Sequence, residues 1–255
     1  MCRWLAYRGR PIFLERLLFE PQYSLIEQSL NARKAKAPTN GDGFGLGWYG
    51  ERDTPGTFHE VLPAWSDGNL RSLAHHLRSR LFFAHVRAST GTATSRANCH
   101  PFSHGRWMFM HNGQVGGYER IRRRIEALIP DALYCRRRGT TDSEAIFLAA
   151  LGMGLEQDPQ GALASTLSQV ERLMQEADIG EPLRFTAALT DGERIFAIRY
   201  SSDDHPPSLY MAEDEDGVLV VSEPLDEALH DWKAVPPGIV VEVGAHGSAR
   251  PQAFR

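Results

Sequence analysis

A cysteine at position 2, followed after Arg3 by the apolar run Trp4-Leu5-Ala6-Tyr7, constrains this chain more than any other stretch. Methionine aminopeptidases remove an initiator Met when the next residue is small, and Cys2 would then carry a free α-amine and a thiol on one residue. With ordinary pKa values of about 8.5 and about 7.7 to 8, the two groups exchange a proton near neutral pH, and the residue becomes a nucleophile with its own base. Such a nucleophile needs a rigid support, and the apolar run suits a buried strand that would hold Cys2 at its start. The competing reading is a chance Cys in a disordered terminus.

With 255 residues, 42% of them hydrophobic, the chain is long enough to bury a core. It shows no repeat, low-complexity segment or boundary, so residues 2–255 are expected to form a single domain. A net charge of -4 supplies no general attraction to phosphate backbones, which argues against a nucleic-acid partner. Cys2, Cys99 and Cys135 form no CxxC pair, which speaks against a disulfide framework and a four-ligand zinc site, and for a reducing cytoplasm. The first 25 residues lack the apolar core of a secretory signal, and the uncharged stretch 145–155 is far short of the roughly 20 residues that span a bilayer. No metal site and no membrane partner are expected.

Taken in order, the pattern predicts a turn at Arg8-Gly9-Arg10-Pro11, short helices over 12–18 and 24–31, and a polar linker through 34–38. Residues 41–50 carry Gly at nearly every second position, which puts the glycines on one strand face. Another strand or a ligand can then come close, and tight sheet packing is the plainer of the two. An edge strand over 58–64, a helix over 69–80, and strands over 81–86 and 106–110 follow, the last forming a hairpin with the segment from Asn98. Helices are predicted over 118–128, 142–151 and 161–177, then strands over 183–190, 194–200, 209–212, 217–221 and 239–243. Helices grouped between an early and a late set of antiparallel strands give an α+β layered domain. Arg122-Arg123-Arg124 fall on a solvated helix face opposite Ile121 and Ile125, whereas Arg136-Arg137-Arg138 either border a site or stay on the surface.

Three later stretches bear on Cys2. Arg87 closes the 81–86 strand and is followed by Ala88-Ser89-Thr90-Gly91; it is either solvated or, with hydroxyls beside its planar fork, suited to grip a carboxylate. His111-Asn112-Gly113 ends a strand in Asn-Gly, which is a plain turn or a place where a backbone N–H and the Asn amide both face an oxyanion. Thr140-Thr141-Asp142-Ser143-Glu144 starts a helix with Thr141 as N-cap, and local chemistry alone makes Asp142 a helix-dipole residue. A thiol hydrolase with His85, His100 or His111 as base is a further alternative, although a Cys at position 2 has an amine of its own.

These stretches together resemble the glutaminase domain of the class II glutamine amidotransferases, which are N-terminal nucleophile hydrolases, over about residues 2–225. The resemblance implies a four-layer αββα sandwich of two antiparallel sheets. It also implies Cys2 as nucleophile with its α-amine as base, and Asn112 and Gly113 as oxyanion hole. Arg87 and Asp142 would hold the α-carboxylate and α-ammonium of a γ-glutamyl group, Thr90 would line the same pocket, and no cofactor is required. The run Asn40-Gly41-Asp42-Gly43-Phe44-Gly45 after Met1-Cys2-Arg3 is shared with stand-alone members, among them glutathione-degrading γ-glutamyl hydrolases and the amidohydrolase of ergothioneine synthesis. Where several synthase-linked members have Arg-Trp-Ala-Thr-His-Gly, this chain has Arg87-Ala88-Ser89-Thr90-Gly91, and no synthase domain follows. The loss of an aromatic and a His favours a γ-glutamyl compound with a larger leaving group over free glutamine. The implied function is γ-glutamyl amide hydrolysis on a small-molecule substrate. The alternatives are a glutaminase subunit feeding ammonia to a separate synthase, and a non-catalytic binding domain; a peptidase or synthase subunit is the kind of protein partner implied.

Overall fold

The computed structural model describes residues 2–33, 39–89, 91, 93–245 and 247–255; Met1, the 34–38 linker and Thr90 lie outside the described residues. The first half of the chain forms β1 (Arg3–Phe13), α1 (Glu15–Leu18), α2 (Leu25–Leu30), β2 (Phe44–Trp48), β3 (Gly56–Glu60), α3 (Gly68–His76), β4 (Arg78–Val86), β5 (Phe102–His104) and β6 (Trp107–Gln114). Then come α4 (Tyr118–Glu126), α5 (Asp131–Tyr134), α6 (Asp142–Gly152), α7 (Pro159–Glu176), β7 (Arg184–Thr190) and β8 (Ile195–Ser201). The chain closes with β9 (Tyr210–Glu213), β10 (Gly217–Val221), β11 (Lys233–Ala234), β12 (Ile239–Val243) and β13 (Ala249–Ala253).

The strands make two antiparallel sheets, ordered β11-β9-β10-β1-β4-β2-β3 and β13-β12-β8-β7-β6-β5. Because strand side chains alternate between faces, each sheet feeds two apolar layers. Trp4, Ala6 and Phe83 of the first sheet meet Met108, Met110 and Ala197 of the second in the gap between them. On the outer face of the first sheet, Leu5, Phe82 and Val221 pack on Leu18, Ile26 and Leu70 of the helices α1 to α3. On the outer face of the second, Phe109, Phe185 and Ile198 pack on Ile121, Phe147 and Leu167 of α4, α6 and α7. The order of layers is helix, sheet, sheet, helix, the four-layer αββα sandwich that the family resemblance implies.

Local readings fail where tertiary pairing overrides them. The expected turn at Arg8 to Pro11 is instead part of β1, which bends at a register irregularity between Arg8 and Ile12 and pairs Phe13 with Arg78. Buried Arg8 holds that stretch by donating from Nε to the Glu193 carbonyl at 2.9 Å and from Nη2 to that of Ala245 at 2.6 Å. The helix expected over 12–18 therefore starts only at Glu15, and the one expected over 69–80 stops at His76 to release Arg78–Val86 as β4.

The alternating glycines of β2 pack as the plainer reading held. A Cβ on Gly45 would lie 2.0 Å from the His100 carbonyl oxygen, and one on Gly47 would lie 2.3 Å from Met108 Sδ. The second sheet thus rests directly on β2 backbone.

Candidate active site

Cys2 stands one residue before β1, on the face shared by Trp4 and Ala6, and so at the gap between the sheets. Its Sγ lies 3.4 Å from the backbone N–H of Ala88, which donates to it, and 3.6 Å from the Ala88 carbonyl oxygen. The next residue fixes the strand end. Arg3 donates from Nε to Glu223 Oε2 at 2.9 Å and from Nη1 to the Cys2 carbonyl at 2.9 Å, in an ion pair whose side chains are 1% and 2% exposed. Glu223 in turn accepts from the Arg33 N–H. Burial pushes the Cys2 thiol up from its ordinary pKa, against the Ala88 hydrogen bond and the charges of Arg87 and Arg3, which favour the thiolate.

Asn112 and Gly113 do not form the turn that Asn-Gly suggests. β6 runs straight through them, pairing Asn112 with Thr186 and Gly113 with Phe185 of β7. Alternation puts Asn112 on the inter-sheet face with Met108 and Met110, the face Cys2 also takes, and its buried Nδ2 has no partner among the described residues. Gly113 has φ +154, and a Cβ there would stand 1.9 Å from the Arg184 carbonyl oxygen. His111 falls on the opposite strand face, with both ring nitrogens engaged. Its Nε2 lies 3.2 Å from the Arg184 carbonyl oxygen and its Nδ1 lies 2.9 Å from the Ser143 hydroxyl, which also contacts Asp142 Oδ1 at 3.1 Å.

Arg87 is buried, and the structure engages its fork more fully than the sequence suggests. Nη1 donates to the Asp42 carbonyl at 3.3 Å, and Nη2 to Ser89 Oγ and the Ala93 carbonyl at 3.2 and 3.3 Å. Asp42 also accepts from the Ser89 N–H at 2.7 Å, which ties the Gly-rich loop before β2 to the loop after β4. Asn98 then joins this loop to the start of α6. Its Nδ2 donates to the Ala93 carbonyl at 2.9 Å and its Oδ1 accepts from the Thr140 N–H at 2.8 Å. Gly139 is needed at that crossing, since a Cβ would lie 2.4 Å from the Ala97 carbonyl oxygen.

At the start of α6, Thr141 caps as expected, its hydroxyl oxygen accepting from the Glu144 N–H at 3.2 Å. Asp142 does more than face the helix dipole. Its Oδ2 accepts from the Val115 N–H at 2.8 Å and its Oδ1 from the Ser143 N–H at 2.7 Å, which pins α6 to the residue after β6. Below it, Arg137 of the second Arg cluster bridges Glu126 and Glu144 at 2.9 and 3.1 Å and donates to the Thr141 carbonyl at 2.9 Å. Arg122 and Arg124 pair with Glu126 and Glu176 on the solvated side of α4, as read from the sequence.

A cavity of about 390 Å³ brings together Cys2, Arg87, His100, Gly113, Gln114 and Asp142 among its lining residues, which do not include Asn112. Thr90 cannot be placed, being outside the described residues. Sequence reasoning missed the Ala88 amide, which carries no signal in its side chain, and Asn98, whose partners lie in other loops. No group of three or more His, Cys, Asp or Glu among the described residues is arranged to hold a metal ion, and no helix among them is long and apolar enough to cross a membrane.

The chain matches the family model of the class-II glutamine amidotransferases over residues 19–206. It is 33% identical to the probable glutamine amidotransferase DUG3 of Saccharomyces cerevisiae, across 95% of this chain and 82% of that protein. It is 29% identical to the gamma-glutamyl-hercynylcysteine sulfoxide hydrolase of Mycolicibacterium smegmatis, across 95% and 96%. Among solved structures, a glutamine aminotransferase class-II domain protein from Silicibacter pomeroyi superposes over the full length of both chains, with TM-score 0.79 and 41% identity. The glutamine phosphoribosylpyrophosphate amidotransferase of Bacillus subtilis shares the fold, with TM-score 0.64 at 13% identity, over 49% of its length. By its family model, its relatives and its sandwich, this chain belongs to the class-II glutamine amidotransferases.

Proposed function

We propose that the chain, acting as one unit over residues 2–255, hydrolyses the γ-amide bond of a small γ-glutamyl molecule with Cys2 as nucleophile. The reading rests above all on one observation: Cys2, Arg87, Gly113 and Asp142, drawn from four separate segments, line the same cavity. With Met1 removed, the α-amine of Cys2 takes the thiol proton and the thiolate attacks the γ-carbonyl. The oxyanion that forms is met by Gly113 and by the Asn112 amide, whose orphaned donor is the kind of buried polar group that a developing charge would satisfy. Collapse breaks the C–N bond, the amine leaves with the proton, and water then hydrolyses the γ-glutamyl thioester to glutamate and the free thiol. Arg87 and Asp142 hold the α-carboxylate and α-ammonium, with Thr90 beside them. Every step uses groups the chain itself supplies.

The gamma-glutamyl-hercynylcysteine sulfoxide hydrolase relative, together with small Ala88 and Gly91 beside the cavity, supports a leaving group larger than ammonia. Glutamate release from glutamine, glutathione and γ-glutamyl-cysteine by the Met1-free protein, with Cys2→Ala as control, tests this. The expected result is a higher kcat/KM for the two larger compounds and none for Cys2→Ala. Normal turnover by Cys2→Ala would sink the mechanism. A preference for glutamine that appears only with an ammonia-accepting partner would instead make the chain a glutaminase subunit.

A further inference from the structure

The run Arg136-Arg137-Arg138 divides in the fold. Arg137 turns inward to bridge Glu126 and Glu144, whereas Arg136 and Arg138 are exposed, and no hydrogen bond or ion pair among the described residues engages either guanidinium. Both line a second cavity, of about 570 Å³, together with Arg96, His104, Phe102 and Phe147. This cavity stands back to back with the one that Cys2 lines. Along the chain leading into β5, Ala97, Cys99 and Pro101 belong to its wall, while Asn98 and His100 belong to the other. In α6 likewise, Glu144, Phe147 and Leu148 border it, and Asp142 and Ser143 border the other.

The second cavity carries an excess of positive charge in a chain whose net charge is -4. Glu144 is the carboxylate in its lining among the described residues, and its charge is already paired. Its Oε1 accepts from the Arg138 N–H at 2.8 Å, and its Oε2 from the Gly139 N–H at 2.7 Å and Arg137 Nη1 at 3.1 Å. Arg96, its side chain 69% exposed, donates from Nη2 to Glu60 Oε2 at 2.5 Å, and the other nitrogens of its fork have no partner among the described residues. An Arg run on a convex surface is ordinarily just solvated. Here the cations come from two separate segments, the single helical turn Arg96–Asn98 and the loop between α5 and α6, and share one concave wall. Like charges gathered in one cavity repel each other; an anion relieves that repulsion and meets planar forks that match a carboxylate or a phosphate two bonds at a time.

We propose that this second cavity binds a small oxyanion carrying two or more negative charges, held by the forks of Arg136, Arg138 and Arg96. Phosphate and carboxylate groups share the chemistry, and the experiment separates them. The site does not rest on the Cys2 mechanism, because none of its three cations lines the cavity that Cys2 lines.

Thermal unfolding of the full chain at neutral pH reads binding as a rise in Tm. Pyrophosphate and citrate at millimolar concentration are the probes, and sodium chloride at matched ionic strength is the reference. At least one probe should raise Tm beyond the salt, and the stronger of the two names the group. Calorimetric titration of that probe should give a Kd that rises about tenfold or more when Arg136→Ala and Arg138→Ala are combined, since two charge-assisted contacts are lost. Both side chains are exposed, so this variant should unfold at the wild-type Tm when no probe is present. Arg136→Lys with Arg138→Lys, which keeps the charges and removes the forks, should recover only part of the affinity. Saturating glutamate, which would occupy the cavity that Cys2 lines, should leave the Kd of the probe unchanged. A Tm rise that sodium chloride reproduces, or a double Ala variant that binds as tightly as wild type, would overturn the proposal. So would displacement of the probe by glutamate, which would place the anion at Arg87 instead.

Discussion

On one side of the cavity, Cys2 and Gly113 sit just before β1 and within β6, with Asn112 next to Gly113 outside the cavity lining; β1 is paired along both edges, with β10 and β4, and β6 at Asn112 and Gly113 is paired with β7. On the other side, the loop after β4 and the start of α6 are held by side chains: Asp42 on Ser89, Asn98 between Ala93 and Thr140, Arg137 beneath Thr141. The first wall carries the proposed bond-making groups and is positioned by backbone ladders, which many residues share. The second carries the proposed substrate-holding groups and depends on a few polar contacts, each of which one substitution can remove. On the proposed assignment, the bond-making groups rest on shared backbone ladders and the substrate-holding groups on contacts that single substitutions can shift.

The sharpest way to break the strand wall is Gly113→Ala. Its Cβ would meet backbone rather than a yielding side chain, so β6 and β7 must part beside the cavity that Cys2 lines. We expect kcat to fall by about a hundredfold or more, as for lost oxyanion donors. A variant with wild-type kcat would show that Gly113 plays no part in the oxyanion site.

Arg137→Leu attacks the loop wall from below, leaving Glu126 and Glu144 without their shared cation in a site where the Arg and Glu144 side chains are 7% and 6% exposed. A loss of about 3 to 5 kcal/mol in denaturant unfolding is expected, since one charge of a buried cluster loses its partner. Asn98→Ala is gentler. It should raise KM by about tenfold, equivalent to about 1.4 kcal/mol, with kcat little changed, because it loosens the tie between the Arg87 loop and the start of α6. An equal loss in kcat with KM unmoved would mean that the two walls are not separable.

The smallest effect is expected at Cys99. Its thiol is buried and pushed up to about 11 by that burial, with Sγ 3.5 Å from the carbonyl oxygens of Glu60 and Ser95. Cys99→Ala should leave kcat/KM unchanged and cost about 1 kcal/mol of stability.

Legibility in the sequence follows the same division. Strand and helix periodicity carries an α+β layered domain, because burial on known faces leaves a pattern in the residues themselves, and the sandwich came only with the family resemblance. Cys2 stands out by its position, whereas Arg87, Asn112-Gly113 and Asp142 became site candidates through the family resemblance, and all of these except Asn112 line one cavity. Asn98 was illegible because its partners are the backbone of Ala93 and Thr140, the second 42 residues away, and backbone acceptors have no sequence identity. Asn112-Gly113 and Arg8-Gly9-Arg10-Pro11 misled in the same way. Each has the local chemistry of a turn, and in each a neighbouring strand, β7 or β4 with β10, supplies the hydrogen bonds that keep it extended.

The Arg3–Glu223 pair has a bearing on the order of assembly. Arg3, beside the proposed nucleophile, is held by a residue 220 positions later, and β1, made before the other strands described, gains its β10 edge only when Gly217–Val221 arrives. Contacts of such sequence separation close late, after the entropy of a long loop has been overcome. A chain emerging from the ribosome thus carries the Cys2 thiol on a strand with one unpaired edge through most of synthesis, and on the proposed mechanism competence for catalysis arrives with the C-terminal strands.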